Sequence, residues 1–313
     1  MTKLTVIPSY ASPSQTACKI MPKHALSPPQ FPMHWASQWG EDPYGLWMAL
    51  THNGVEQIFR WIEPGEFMMG SPEHEEGRFH NEVLHKVNLT QGLWLADTTV
   101  TQALWQAVME DNPSYFKGDN RPVEQVNWEY AQRFIEKLNQ LHPGLQAGLP
   151  TEAQWEYACR AGATGPFNVD GELSVDKVNY RGTWEFFHKM WGKGARQATD
   201  EVKSYPCNAW GLYEMHGNVW EWCQDYWQEK LSARPAVDPV SQPSVGRSID
   251  DRVEVLLRRR SHVVRGGSWY RHGRYARSAI RYHCMPSDRL DNFGFRLSLG
   301  HELTHARSTQ AKP

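Results

Sequence analysis

The residues most able to do chemistry in this chain lie near its C-terminal end. Residues 265–297 read RGGSWYRHGRYARSAIRYHCMPSDRLDNFGFRL, in which Gly, Trp and Arg recur around a mixture of Tyr, His, Cys and Asp. Side chains of these types can form a catalytic centre, pack in a core, or form a surface that contacts another molecule. Gly266 and Gly267 permit backbone conformations closed to other residues, and Trp269 can anchor the loop in the core. The pattern therefore indicates a fixed framework with other side chains displayed between its members.

A second candidate for chemistry is the motif GNVWEW at residues 217–222. Trp220 and Trp222 flank Glu221 in a run that alternates sides, so the indoles can pack while the carboxylate is directed to one fixed place. A carboxylate held in this way requires either a cation or hydrogen-bond donors. Two interpretations stay open: Glu221 binds a metal ion, or it accepts backbone N–H bonds in a buried turn.

The composition limits the classes of function. The chain has 313 residues and a formal net charge of -2, with 15 Trp, 24 Gly and 20 Pro, which predicts a loop-rich globule anchored by buried aromatic residues. This charge provides no general attraction to nucleic acid or to an anionic membrane. The 5 cysteines are scattered and odd in number, which favours a reducing compartment. No apolar run is long enough for a signal peptide or a membrane span, so we predict a cytoplasmic protein.

Local patterns predict helices in the middle of the chain and short strands around them. The segment EQIFRWI alternates and then meets Pro64 and Gly65, which predicts a strand, a turn and a second strand. Helical periodicity follows in TTVTQALWQAVMED, NWEYAQRFIEKLNQL and LPTEAQWEYACRAG. Thr99 is expected to cap the first helix, and Thr151 and Gln154 stand in capping-box register at the third. These elements together predict an α+β fold.

Several phrases, in order, resemble the formylglycine-generating enzyme and sulfatase-modifying-factor family. They are EPGEFMMGS, TTVTQALW, RPVEQVNW, LPTEAQWEYACRAG, WGLYEMHGNVWEWCQDYW and RGGSW followed by NFGFRL, from about residue 56 to 298. The resemblance implies a C-type lectin-like fold of this family's type, α+β, with a small twisted antiparallel sheet, helices and long loops. It implies one such domain over residues 56–300. Residues 1–55 are then expected to be an arm that packs on the domain or is partly disordered, and residues 301–313 a flexible tail.

The same resemblance implies a structural calcium site around the GNVWEW motif. Glu214 and Glu221 would supply side-chain oxygens, while Gly217 and Val219 would supply carbonyl oxygens. Hard oxygen ligands of this kind suit Ca²⁺.

Catalysis is not expected, because the residues that the family's chemistry needs are replaced. The enzymes of this family oxidise a substrate cysteine with copper held by two cysteines, since Cu(I) prefers soft thiolate ligands. The corresponding positions here are Arg271 and Ala276, and the nearby Cys284 has no partner, so we expect no copper. Another branch of the family uses a three-histidine iron site in a helical domain that residues 1–55 do not supply. A formylglycine-generating-enzyme-like oxidoreductase and a fixed, inactive scaffolding relative are the alternatives.

A non-enzymatic branch resembles residues 265–297 more closely. The variable proteins of diversity-generating retroelements end in a similar frame, and error-prone copying at adenines rewrites AAC codons between the frame residues. Such codons cannot yield Trp, Lys, Glu, Gln or Met, and none of these occurs in the slots chosen by the frame, although Met285 must then belong to the frame. The resemblance implies ligand binding by these slots: Tyr270, Arg271, His272, Tyr275, Ile280, Tyr282, His283, Cys284, Ser287, Asp288, Leu290 and Phe293.

The arginines of the framework have a physical role in holding the loops. Four arginines can tie loop carbonyls and carboxylates with their fork-shaped donors, which holds the fold while the slots change: Arg277, Arg281, Arg289 and Arg296. Slots rich in Tyr, His and Arg are typical of binding surfaces. We therefore predict a macromolecular ligand, a protein in the first place, with no nucleic-acid and no membrane partner.

Overall fold

The largest sheet of the computed structural model is antiparallel and has six strands. The structure describes residues 26–169, 171–183, 192–243 and 260–300. The sheet contains, from edge to edge, β1 (Gln38–Asp42), β2 (Gly45–His52), β3 (Val55–Ile62), β6 (Leu93–Ala96), β13 (Ser298–Leu299) and β7 (Ala147–Gly148).

The hairpin of β2 and β3 shows that the sheet begins earlier than the sequence predicted. Asn53 and Gly54 connect the two strands and both have positive φ, at 49° and 80°, which is the backbone form that a two-residue hairpin turn needs. Because β1 and β2 also belong to this sheet, the predicted domain boundary at residue 56 lies too far along the chain. The burial of β2 does not alternate, since Met48, Ala49 and Leu50 are buried in succession, so the alternation that identifies a strand is missing here.

Two smaller sheets complete the β structure. One consists of β4 (Gly65–Met69), β5 (His85–Leu89) and β9 (Ala236–Val237). The other consists, in spatial order, of β11 (Tyr282–Cys284), β10 (His262–Arg265), β8 (Trp220–Tyr226) and β12 (Phe293–Gly294). The turn predicted at Pro64 and Gly65 separates two strands as expected, but β3 and β4 join different sheets and do not pair with each other. The described residues thus form three sheets where one small sheet was predicted.

The first helix begins later than predicted. Helix α1 (Gln102–Met109) is capped by Thr101, whose Oγ1 accepts a hydrogen bond from the Leu104 N–H at 3.2 Å. Thr99 was predicted for this role, but it is buried and precedes the extended Thr101. Either threonine suits an N-cap, and the register of the following turn decides between them.

The other two helices begin where their caps predict. Helix α2 (Trp128–Leu141) follows Asn127, whose side chain accepts from the Tyr130 N–H at 2.8 Å. Helix α3 (Glu152–Arg160) has the predicted capping box, because Thr151 Oγ1 accepts from Gln154 N–H and Gln154 Oε1 accepts from Thr151 N–H. The α+β class is therefore confirmed. None of the helices within the described residues is long and apolar enough to cross a membrane.

The core lies between α1, α2 and the sheets. Trp105 of α1 stacks on Phe134 of α2, with ring centroids 5.3 Å apart, and Phe295 contacts both rings edge-on. Trp220 and Trp222 are buried in the same cluster, as the GNVWEW motif predicts. Because each buried aromatic side chain removes roughly 150–250 Å² from water, this cluster provides much of the stability of the fold. It also fixes β8 and β12, which carry the ends of the C-terminal loops.

Candidate functional site

Two of the framework arginines are held by carboxylates from distant parts of the chain. Arg277 Nη1 lies 2.6 Å from Glu75 Oε1 and Arg277 Nη2 lies 2.5 Å from Glu82 Oε1. Arg281 makes a two-point contact with Glu152, through Nε at 2.6 Å and Nη2 at 2.9 Å. Both guanidinium groups are buried, and fork-to-fork pairing of this kind fixes orientation as well as position. The loop is therefore tied down at two points between the slots.

Two further buried arginines fix the ends of the C-terminal segment. Arg265 pairs with Glu156, and Arg296 pairs with Glu221 through Nε at 2.6 Å and Nη2 at 2.7 Å. Arg289 is different, since it is exposed and donates to the Gln125 carbonyl at 2.8 Å. The predicted role of the arginines, which is to tie loop carbonyls and carboxylates, matches these contacts.

The glycine pair and the tryptophan of RGGSW hold the start of the segment. Gly267 has φ of 79°, and a Cβ at this position would collide with the Tyr275 carbonyl. The indole of Trp269 is buried, contacts Phe116 edge-on at 5.2 Å, and donates to the Asp291 carbonyl at 3.2 Å. These contacts close the segment into a compact set of loops.

Four of the predicted slots are buried. His272 is 2 % exposed, Ile280 1 %, Cys284 9 % and Phe293 1 %. His272 Nδ1 lies 3.0 Å from Thr183 Oγ1, and the other three pack in the main core. These four side chains are not displayed at the surface, because the frame's spacing does not report which way a loop side chain faces, and their contact with a ligand stays a prediction.

The other eight slots reach the surface, and we call them the slot surface. Tyr270 is 48 % and Leu290 46 % exposed. The Arg271 guanidinium lies over two slot rings, 5.3 Å from the centroid of Tyr275 and 5.2 Å from that of Tyr282. The members of the slot surface are Tyr270, Arg271, Tyr275, Tyr282, His283, Ser287, Asp288 and Leu290.

A cleft of about 170 Å³ opens beside these rings, and we call it the aromatic cleft. Three members of the slot surface line it: Tyr275, Tyr282 and His283. The remaining lining comes from the buried slot Ile280, from the framework residue Arg281, and from two other loops that sequence reasoning did not select: Phe79, Asn81, Trp227 and Glu229. Trp227 ends the WCQDYW phrase, and its aromatic side chain was the one feature of the sequence that could have indicated a role in the cleft. The cleft is thus built partly from slots and partly from residues outside them.

The predicted calcium set does not fit the arrangement of its central member. Both oxygens of Glu221 are taken, by the fork of Arg296 and by Trp155 Nε1 at 2.7 Å from Oε2, so a cation there would lie beside a guanidinium. Glu214 differs, since its Oε1 is buried without a hydrogen-bond partner in the described residues and burial raises its pKa to about 7. The pairing of Glu221 with Arg296 argues against a cation at that residue, and calcium at Glu214, Gly217, Val219 and Glu221 stays a prediction. Of the two interpretations of Glu221, the one in which the carboxylate accepts hydrogen bonds is closer to the structure. The donors are side chains, where backbone N–H groups were expected.

Residues 51–299 match the family described as the sulfatase-modifying factor enzyme 1-like domain. The chain belongs to this family. It is 30% identical over 235 residues to the formylglycine-generating enzyme of Mus musculus, covering 72% of this chain and 57% of that enzyme. It is 32% identical over 198 residues to the formylglycine-generating enzyme of Streptomyces coelicolor, covering 61% of this chain and 56% of that one. The chain thus spans little more than half the length of these curated relatives.

Two solved structures are also similar to the structure of this chain. The structure of Treponema denticola variable protein 1 has a TM-score of 0.66 and 26% identity, and covers 81% of this chain and 98% of that one. PvdO from Pseudomonas aeruginosa has a TM-score of 0.63 at 23% identity and covers 84% of this chain and 98% of that one, a similarity of fold alone. The predicted C-type lectin-like fold of the sulfatase-modifying factor type is confirmed.

In this sulfatase-modifying factor family member, the positions that correspond to the copper cysteines carry other chemistry. Arg271 stacks on two tyrosines, and Ala276 is buried. Burial raises the pKa of the Cys159 and Cys284 thiols to about 12, so neither is a thiolate near neutral pH. Across the described ranges, no three His, Cys, Asp or Glu side chains are grouped so that they could hold a metal ion.

Proposed function

We propose that this chain is a non-catalytic binding protein that displays a diversified C-terminal surface, as a variable protein of a diversity-generating retroelement. The observation that carries the proposal is that, within residues 265–297, the framework residues are mostly buried and most of the slots are at the surface. Trp269 and three of the framework arginines are buried and anchored, while eight of the twelve slots reach the surface. Slot residues at the surface can change without removing the contacts that hold the fold.

The character of the slot surface supports a protein partner. Tyr270, Tyr275 and Tyr282 present rigid rings, and Arg271 adds a charged group held between two of them. Aromatic residues and arginine are enriched at protein interfaces because they give contact area at little entropic cost. The formal net charge of -2 gives no support to a nucleic-acid partner or an anionic membrane. Similarity to Treponema denticola variable protein 1, a variable protein by name, supports the same proposal.

A second candidate is an oxidoreductase like the formylglycine-generating enzymes, and the identity of 30% to the mouse enzyme favours it. Against it stand Arg271 and Ala276, because neither side chain can supply a thiolate to copper. The two candidates differ in a simple assay. Copper titration with oxygen consumption on a cysteine-bearing peptide should give no turnover with the folded protein, whereas turnover would support the enzyme.

The decisive test of the variable-protein proposal is the nucleotide sequence of the gene and of the DNA beside it. The slot codons of residues 270–293 should be clustered NNC codons, and a near-copy of the stretch with AAC at those places should lie beside a reverse-transcriptase gene. The framework codons serve as the internal control, because they should be the same in both copies. If neither the codon cluster nor the second copy is present, the proposal is wrong and a fixed scaffolding protein is the remaining candidate.

A further inference from the structure

We infer that the aromatic cleft and Arg271 together recognise a carboxylate that lies next to an apolar or aromatic side chain of a partner polypeptide. This inference rests on the proposed function and deepens it by naming the chemistry of the ligand. It concerns the residues that now occupy the slots, since a different content would select a different ligand.

Arg271 is a guanidinium held in place with unused donors. Its position is fixed by the rings of Tyr275 and Tyr282, at 5.3 and 5.2 Å. Within the described residues its side chain forms no hydrogen bond and no ion pair, and its Nε is buried without a partner. A fixed fork of N–H donors matches the two oxygens of a carboxylate, and the preorganised orientation lowers the entropy lost on binding. The group is thus ready to accept an anion from outside the chain.

Within the part of the chain that the structure describes, no carboxylate forms an ion pair with Arg271. Asp288 accepts a hydrogen bond from the Met285 N–H at 3.0 Å and makes no ion pair with Arg271. Glu229, the one acidic residue that lines the cleft, accepts from Trp227 Nε1 at 3.2 Å and lies 3.3 Å from His80 Nε2. The positive charge beside the cleft is therefore complementary to an acidic group on a partner.

The cleft next to this charge has the size for one side chain. Its volume of about 170 Å³ lies below the roughly 300–1,000 Å³ of pockets that enclose a drug-sized ligand. Phe79, Trp227, Tyr275 and Tyr282 give it aromatic walls. Tyr275 and Tyr282 are also the rings under Arg271, so an apolar side chain in the cleft places its own or an adjacent carboxylate near the guanidinium.

A carboxylate fits better than a phosphate. Phospho-group recognition by proteins generally uses clusters of arginines. The neighbouring Arg277 and Arg281 are paired with Glu82 and Glu152, and Arg274, which lies 4.3 Å from the centroid of the Phe79 ring, donates to the Gly77 carbonyl. Among the described residues, Arg271 is the one of these four whose guanidinium makes no hydrogen bond. A single fork matches the charge and geometry of one carboxylate.

The test compares two small probes that differ only in charge. N-acetyl-phenylalanine carries a carboxylate, and N-acetyl-phenylalaninamide replaces it with a neutral amide. Each is titrated into the full chain while NMR follows the indole N–H of Trp227, which lines the cleft. We expect the acid to bind about tenfold more tightly than the amide, or about 1.4 kcal/mol, because hydrogen bonds between a guanidinium and a carboxylate are stronger than those to a neutral amide.

Two variants decide the origin of the difference. In Arg271→Gln the acid should bind no better than the amide, while Arg289→Gln, which removes an exposed arginine outside the cleft, should leave the preference intact. Equal binding of acid and amide by the unmodified chain, an unchanged preference in Arg271→Gln, or tighter binding of phenyl phosphate than of the acid would each overturn the inference.

The outcome separates this inference from the proposed function. If the slot codons and their second copy are found but the acid probe shows no preference, the inference fails and the variable-protein proposal stands. If the acid is preferred through Arg271 but the second copy is absent, the site is real and the proposed diversification is wrong.

Discussion

Arg296 and Glu221 form a two-point ion pair in the core, with Nε to Oε2 at 2.6 Å and Nη2 to Oε1 at 2.7 Å. The same guanidinium also donates to the carbonyls of Ala96 and Tyr213, at 3.1 and 2.9 Å. One arginine therefore joins the GNVWEW strand, the main sheet and the end of the displayed loops. The carboxylate that could have held a metal ion is neutralised by the chain itself.

Removing Arg296 should destabilise the protein strongly. Arg296→Met leaves the Glu221 charge buried without its partner, so we expect a loss of about 3–5 kcal/mol in the free energy of unfolding. The double variant Arg296→Met with Glu221→Gln removes the charge and should recover part of this loss. Urea denaturation measures both. Arg234→Met is the control and should change stability by about 0.5 kcal/mol or less, because Arg234 is exposed.

Calcium should not act through Glu221. Both Glu221 oxygens accept hydrogen bonds from Arg296, so the predicted ion would be held by Glu214, whose Oε1 has no partner in the described residues. EGTA should then lower the melting temperature of the unmodified chain and leave that of Glu214→Gln unchanged, since only an ion that binds the folded state raises it. An unmodified chain that melts at the same temperature with CaCl₂ and with EGTA would contradict the calcium prediction.

Stability should fall as pH rises because of Glu124. Its Oε1 accepts the Phe116 N–H at 2.7 Å while its Oε2 has no partner in the described residues, and burial raises its pKa from 4.5 to about 7. The folded state therefore retains a proton that the unfolded state loses, so this contribution to stability is present below pH 4.5 and is lost as pH rises to about 7.

Glu124→Gln should remove that dependence. We expect the variant to gain roughly 3 kcal/mol or less over the unmodified chain at pH 8 and to differ little from it at pH 4, as measured by urea denaturation at each pH. Glu136→Gln, at an exposed position of α2, is the matched control. Equal stability of Glu124→Gln and the unmodified chain at pH 8 would contradict the prediction.

The slot surface and the buried slot Phe293 should respond differently to mutation. Tyr270→Ser and Leu290→Ser alter exposed side chains and should cost about 0.5 kcal/mol or less, whereas Phe293→Ala empties a core position and should cost about 3–5 kcal/mol. Denaturation curves of the three variants test the display directly. A large loss in both surface variants would mean that these side chains hold the fold.

Gly267→Ala should disturb the loop that carries the slots. The added Cβ collides with the Tyr275 carbonyl and the residue has φ of 79°, so a cost of order 1–3 kcal/mol is expected. Gly148→Ala is a fitting comparison, since nothing lies within 4 Å of its built Cβ and its φ is not positive. NMR shifts of the Tyr275 and Arg271 backbone should move in the first variant only.

The sequence predicts best what depends on neighbours in the chain. The capping box of Thr151 and Gln154 is a three-residue pattern, and the structure has both of its bonds. The choice between Thr99 and Thr101 as the cap of α1 failed because it depends on where the chain leaves the sheet. The arginines of RGGSW…GFRL were expected to find carboxylates, but which carboxylates is a long-range matter: Arg277 and Glu75 are separated by 202 residues.

The candidate site shows the same limit. Residue types and frame spacing identify the loop and its tyrosines, but they cannot tell that His272 and Cys284 face inward while Tyr270 and Leu290 face outward. That difference is set by the short 3₁₀ turn at Gly273–Ala276 and by the pairing of β10 with β11. Phe79 and Trp227 enter the cleft from loops that only the assembled fold brings beside it.

Strand β13 lies between β6 and the edge strand β7 of the six-stranded sheet, although it follows residues 265–297 in the chain. The ribosome therefore delivers the strand that joins β7 to the sheet only after residues 265–297 have been translated. Under the proposed function, a frameshift or stop codon introduced while the slots are rewritten would yield a chain whose sheet cannot be completed. Faulty copies would be eliminated as misfolded proteins, and only those with an intact reading frame would present a surface to a partner.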